Sequence, residues 1–174
     1  YGDSLMRVLM EAGEEFNVIP YGTEALGVMR IEKGHAAGPE LNGQTSAYDL
    51  GMGGMISGKK DFIGYTLGLR EDLQRDDRLQ MVGFKPVNPS DLLLAGSHLL
   101  GLRDKATTEN DQGWISSCIY SPILGHYIGL GFIKGGHSRK GENIRAVDLV
   151  RGNDVEVEIC SPHFVDPEGE RLRV

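Results

Sequence analysis

The sequence predicts an α+β chain in two parts, an N-terminal portion with short helices followed by a small antiparallel β-barrel. Three observations predict it. Apolar residues recur at helical spacing over the first 35 positions. Glycine makes up 25 of 174 residues, about 14% against a usual ~7%, which suits turns and short strands better than a helical bundle. From Leu79 onward, six β-rich runs are separated by Gly, Pro, Asn and Asp.

Taken in order, Leu5, Val8, Leu9, Ala12 and Phe16 predict a first helix, with Asp3 or Ser4 as N-cap and Gly13 as an early stop. Val18 to Gly22 is extended, and Thr23 caps a second helix that ends at Gly34, where a left-handed residue belongs. On that helix Leu26, Met29 and Lys33 share a face, and Arg30 sits one turn beyond Leu26. A turn-rich crossing segment follows, with glycines at 34, 38, 43, 51, 53, 54, 58 and 64, and Leu50, Met52 and Met55 as its expected buried anchors. A short helix or turn is expected around Lys59 to Gly64. The mixed-charge run Arg70 to Arg78 reads as a solvated connection, which places the domain boundary at 75/76.

The six β-rich runs are Leu79–Phe84, Leu92–Ala95, Gly113–Tyr120, Tyr127–Ile133, Ala146–Val150 and Val155–Cys160. In the last, Val155, Val157 and Ile159 alternate with Glu156 and Glu158, the pattern of a half-buried strand.

Composition narrows the function. The formal charge of −7 disfavours a broad nucleic-acid or anionic-lipid surface. No apolar run is long enough to span a membrane, and two cysteines, Cys118 and Cys160, make no disulfide framework, so a cytoplasmic location is expected. Both cysteines sit in apolar runs and read as small hydrophobes. His35, His98, His126, His137 and His163 are scattered without metal-ligand spacing, so no metal site is expected. Gly51-Met52-Gly53 and Gly129-Leu130-Gly131 fail as dinucleotide loops, because Ile56 and Lys134 occupy the third glycine position. The chain begins at Tyr1 rather than Met, and a start within a longer polypeptide is expected.

The string Pro20-Tyr21-Gly22-Thr23-Glu24-Ala25-Leu26-Gly27-Val28-Met29-Arg30-Ile31-Glu32-Lys33-Gly34, followed by Lys60-Asp61-Phe62-Ile63-Gly64, resembles the second half of the folate-binding domain of the glycine-cleavage T-protein (aminomethyltransferase) family. The strand-rich remainder, ending in Ser161-Pro162-His163-Phe164, looks like that family's C-terminal barrel. Within the family, Gly22 to His35 with Gly38-Pro39-Glu40-Leu41-Asn42-Gly43 most resembles the C-terminal region of the alpha subunits of heterotetrameric sarcosine oxidases.

The resemblance implies residues 1–75 as the C-terminal part of a folate-binding domain and 76–174 as the barrel. It implies tetrahydrofolate as the ligand, with FAD, FMN and NAD held elsewhere in a complex with other sarcosine oxidase subunits. Arg30 matches the family arginine that contacts folate, a fixed donor fork for an anionic or carbonyl group. Glu32 is the neighbouring motif acid, either a ligand contact or a local structural partner. Met55 stands where T-proteins often carry tryptophan, leaving softer apolar packing. The family's essential aspartate and a folate-contacting glutamate fall before Tyr1, so no catalytic residue is expected here. The implied reaction is capture of a methylene iminium, formed by oxidation of sarcosine, as 5,10-methylenetetrahydrofolate. The alternatives are a stand-alone aminomethyltransferase, a dimethylglycine-dehydrogenase-type folate domain, or a scaffold without folate binding.

Overall fold

The computed structural model describes residues 1–173. Four α-helices precede a closed antiparallel barrel: α1 (Gly2–Gly13), α2 (Thr23–Glu32), α3 (Tyr65–Gly68) and α4 (Glu71–Gln74). The barrel strands are β1 (Leu79–Pro86), β2 (His98–Leu100), β3 (Gly113–Ser121), β4 (His126–Lys134), β5 (Asn143–Asp148) and β6 (Asn153–Cys160). Their order around the barrel is β1-β4-β3-β2-β5-β6, and β1 closes the ring by pairing with β6 from Gly83↔Cys160 to Pro86↔Val157. No helix among the described residues is long and apolar enough to cross a membrane.

Inward residues of all six strands fill the barrel: Val82, Phe84, Leu99, Ile115, Ile133, Ile144, Ala146, Val157 and Ile159. Six short strands enclose a space just wide enough for these side chains, so backbones must approach closely at some positions. Gly131 is one such position. A Cβ there would lie 2.4 Å from the Trp114 carbonyl oxygen and 2.9 Å from the Ile115 Cα.

Two of the expected strands shift. Leu92–Ala95 is not a strand; Leu93 is fully buried and plugs the barrel core, and the strand is His98–Leu100. Gly96 turns the chain between them with φ +88°, and its N–H donates to the Ile115 carbonyl. The run Ala146–Val150 also stops early. The Asp148 carboxylate accepts the Val150 and Arg151 N–H groups, so the chain turns and leaves Leu149 and Val150 exposed beyond β5.

The helices start where expected to within a residue or two, but without side-chain caps. Tyr1 and Gly22 occupy the cap positions, while Asp3 pairs along the helix with Arg7. Helix α1 ends at Gly13, and Asn17 in the left-handed region reverses the chain after one 3-10 turn. Gly34 has φ +73°, as its sequence position demands. Leu5, Val8 and Leu9 on α1 are exposed, as are Leu26 and Met29 on α2. The face of α2 that is buried within the chain is instead Ile31 and Glu32, against Ile128 and Leu130 on the outside of the barrel.

Replacing Gly131 with Ala forces a Cβ into backbone atoms, and a loss of about 3 kcal/mol is expected, the upper end for overpacking. Gly43→Ala meets nothing within 4 Å, and its unfolding midpoint in urea should match the parent.

Candidate functional site

The expected anchors of the crossing segment are absent from the core. Met52 is exposed, Leu50 is only half-buried, and Met55 is 82% exposed. Two buried carboxylates hold the segment instead, Glu40 and Asp49. A segment so poor in large apolar residues cannot gain enough from burial, and charged hydrogen bonds replace it.

Arg30 is the centre of the first anchor. Its Nη1 donates to Glu40 Oε2 at 3.0 Å and more weakly to the His35 carbonyl at 3.4 Å, and its Nη2 donates to Ser117 Oγ at 2.7 Å. Glu40 is wholly buried and also accepts the Ala37 N–H at 2.9 Å, Ser117 Oγ at 2.7 Å and Ser116 Oγ at 2.5 Å. Burial alone would push this carboxyl's pKa up. The serines, the Ala37 amide and the Arg30 charge outweigh it and hold the pKa below the usual carboxylate range.

Strand β3 meets the last turn of α2 residue by residue. Ser117 bonds Arg30, Ile119 packs with Ile31, and Ser121 Oγ donates to Glu32 Oε1 at 2.5 Å. Glu32 is therefore buried beside Ser121, and the acid paired with Arg30 is Glu40. The Glu32 carbonyl accepts the Phe164 and Val165 N–H groups, and Lys33 pairs with Asp166, so a C-terminal strap ties the end of α2. Gly34 permits this approach, since a Cβ there would lie 2.5 Å from the Pro162 carbonyl oxygen.

The second anchor joins the crossing segment to the start of β1. Arg78 forks onto Asp49, with Nε to Oδ1 at 2.9 Å and Nη2 to Oδ2 at 2.7 Å, and the Asp49 carbonyl accepts the Met81 N–H. Burial raises the Asp49 pKa, but Arg78 and Ser46 bring it net downward. The charged run ending at Arg78 is thus solvated only in part.

Among the described residues, no three His, Cys, Asp or Glu side chains are grouped to hold a metal ion. Burial pushes both thiols up, Cys160 to about 12, which fits their reading as small hydrophobes. A cavity of about 610 Å³ opens between β2 and β5, lined by His98, Leu100, Asp111, Val147 and Arg151, and shares no residue with the Arg30 cluster.

Glu40, Ser116, Ser117, Asp49 and Arg78 were not legible as site residues from the sequence. Adjacent serines inside an apolar strand are the one signal that marks the place.

A family model for the glycine cleavage T-protein C-terminal barrel domain matches residues 80–166, half of the chain, and one for the GCVT N-terminal domain matches residues 1–60. The chain belongs to the glycine cleavage T-protein family. Among T-protein relatives, the sarcosine oxidase subunit alpha of Rhizobium meliloti is 42% identical across 100% of this chain. That of Corynebacterium sp. (strain U-96) is 38% identical over 92% of it. The chain spans only 18% and 17% of these two proteins. An aminomethyltransferase from Chloroherpeton thalassium is 29% identical over 80% of this chain and 37% of its own length. The T-protein fold is seen in the crystal structure of glycine cleavage system aminomethyltransferase T from Bartonella henselae. It superposes with a TM-score of 0.75 at 22% identity, covering 94% of this chain and 45% of that one.

Because its pKa is lowered by folding, Glu40 contributes stability that is present above its ordinary value near 4.5 and is lost as pH falls through the lower folded value. Glu40→Gln should cost about 2 kcal/mol at pH 7, and the gap to the parent should narrow as pH falls below 4.5 in denaturant titrations. A gap independent of pH would show that Glu40 is not ionised in the fold.

Proposed function

We propose that residues 1–75 form the C-terminal part of a tetrahydrofolate-binding domain, that residues 76–174 form its accessory barrel, and that both belong to a sarcosine oxidase alpha subunit. The observation that carries this reading is the 42% identity to the Rhizobium subunit across the whole chain. In this reading the protein works in a complex with other subunits, with FAD, FMN and NAD bound outside these 174 residues. Tetrahydrofolate supplies the nitrogen nucleophiles that take up the methylene carbon of the iminium left when sarcosine loses two electrons to a flavin, and glycine departs.

The residues here fit such a ligand. Arg30 keeps donors that no group among the described residues uses, and its side chain remains 20% exposed. Leu26 and Met29 on the same helix are exposed, as is Met55, and apolar side chains of this kind can pack on a flat aromatic ligand. Arg30 and Met55 contact the ligand, whereas Glu32, bonded to Ser121, holds the end of α2. The uncovered faces of α1 and α2 pack against the part of the domain that carries the family aspartate. The contribution of these residues is orientation: holding ligand and iminium together replaces a bimolecular encounter and keeps the reactive carbon from water.

In the intact complex, Arg30→Lys keeps a positive charge beside Glu40 but loses the fork. Tetrahydrofolate binding should weaken at least tenfold by titration, with less methylenetetrahydrofolate formed per sarcosine oxidised. Unchanged affinity and yield would remove Arg30 from the site and favour a scaffold role for this region.

A further inference from the structure

Strand β3 carries an irregularity placed where it matters most for Arg30. Its register against β4 slips between Ile115 and Ser117. Strict alternation would send Ser116 and Ser117 to opposite faces of the strand. Ile115 and Cys118 both pack on the barrel core, so the two residues between them share the outer face. The bulge therefore turns both hydroxyls onto one acid, Glu40 Oε1.

Ser117 is then donor and acceptor at once. Its proton goes to Glu40 Oε1, and its lone pair takes the Arg30 Nη2 proton. Glu40 Oε2 takes Nη1, which closes a ring of hydrogen bonds around the guanidinium tip. A guanidinium has five N–H donors. Three are used, two on Nη1 and one on Nη2, which leaves Nε–H and the second Nη2 hydrogen. These two form the side edge of the fork. Among the described residues Nε has no partner, and it is not among the buried polar atoms left unpaired there, Ser97 Oγ and Asn153 Oδ1, which leaves it open to solvent.

We propose that the bulge-borne Ser117, together with Glu40, is a positioning device that engages the tip of Arg30 and so reserves its Nε/Nη2 edge for a carboxylate or carbonyl of the bound folate. This rests on the folate reading above and deepens it by naming which edge binds and what aims it. Glu40 and the serines touch no ligand. A lysine at position 30 could satisfy Glu40 but has no second edge to present.

The test uses the intact complex, with tetrahydrofolate as the titrated ligand. Ser117→Ala frees the guanidinium to rotate, and KM for tetrahydrofolate should rise about tenfold while kcat at saturating folate stays within twofold. Ser117→Thr, which restores the hydroxyl, should recover most of the KM. Ser117→Cys keeps the shape with weak hydrogen bonding and should fall between, giving a readout even if the alanine variant folds poorly. An unchanged KM in Ser117→Ala or Ser117→Cys, beside a raised KM in Arg30→Lys, overturns the positioning role and leaves the folate reading intact. A KM unchanged in all of them, Arg30→Lys included, overturns both. A fall in kcat and thermal midpoint without a change in KM assigns Ser117 to stability alone and also overturns the proposal.

Discussion

The Glu40 carboxylate, wholly buried and ionised, is the constraint on which the N-terminal portion depends. It joins three pieces of chain that share little apolar contact: the end of α2 through Arg30, its own crossing segment through Ala37, and β3 through two serines. Replacing both partners of such a buried pair by well-packed apolar side chains is often neutral or even stabilising. The arrangement is therefore a device of placement more than of stability. A hydrophobic plug could hold α2 on the barrel equally well, but it would not fix the orientation of a guanidinium.

The barrel was readable from sequence because its information is local. Period-two alternation in Val155 to Ile159 and glycine-bounded apolar runs mark strands whatever their partners. The two misplaced strand ends share a cause. Leu92–Ala95 and Leu149–Val150 have strand composition, but Gly96 and the Asp148 turn decide the backbone, and Leu93 serves as a core plug.

The crossing segment was the least legible, for the opposite reason. Its large apolar residues, Met52 and Met55, suggest anchors, yet the buried positions are Glu40 and Asp49, whose partners lie at Ser117 and Arg78, 77 and 29 residues away. A carboxylate looks solvent-bound in sequence until its partners are known. Arg30 itself was visible through its motif. The side of α2 that faces inward was not, because Leu26 and Met29 remain uncovered while Ile31 and the charged Glu32 are buried.

The strap at residues 164–166 gives the molecule a particular order of assembly. The Glu32 carbonyl waits for amides at Phe164 and Val165, and Lys33 waits for Asp166, 133 residues later. Closing so long a loop is slow and entropically costly. A ribosome must therefore release nearly all of these residues before the carboxyl end of the helix that bears Arg30 gains its last fastening, well after Ser117 and Ser121 are available to Arg30 and Glu32.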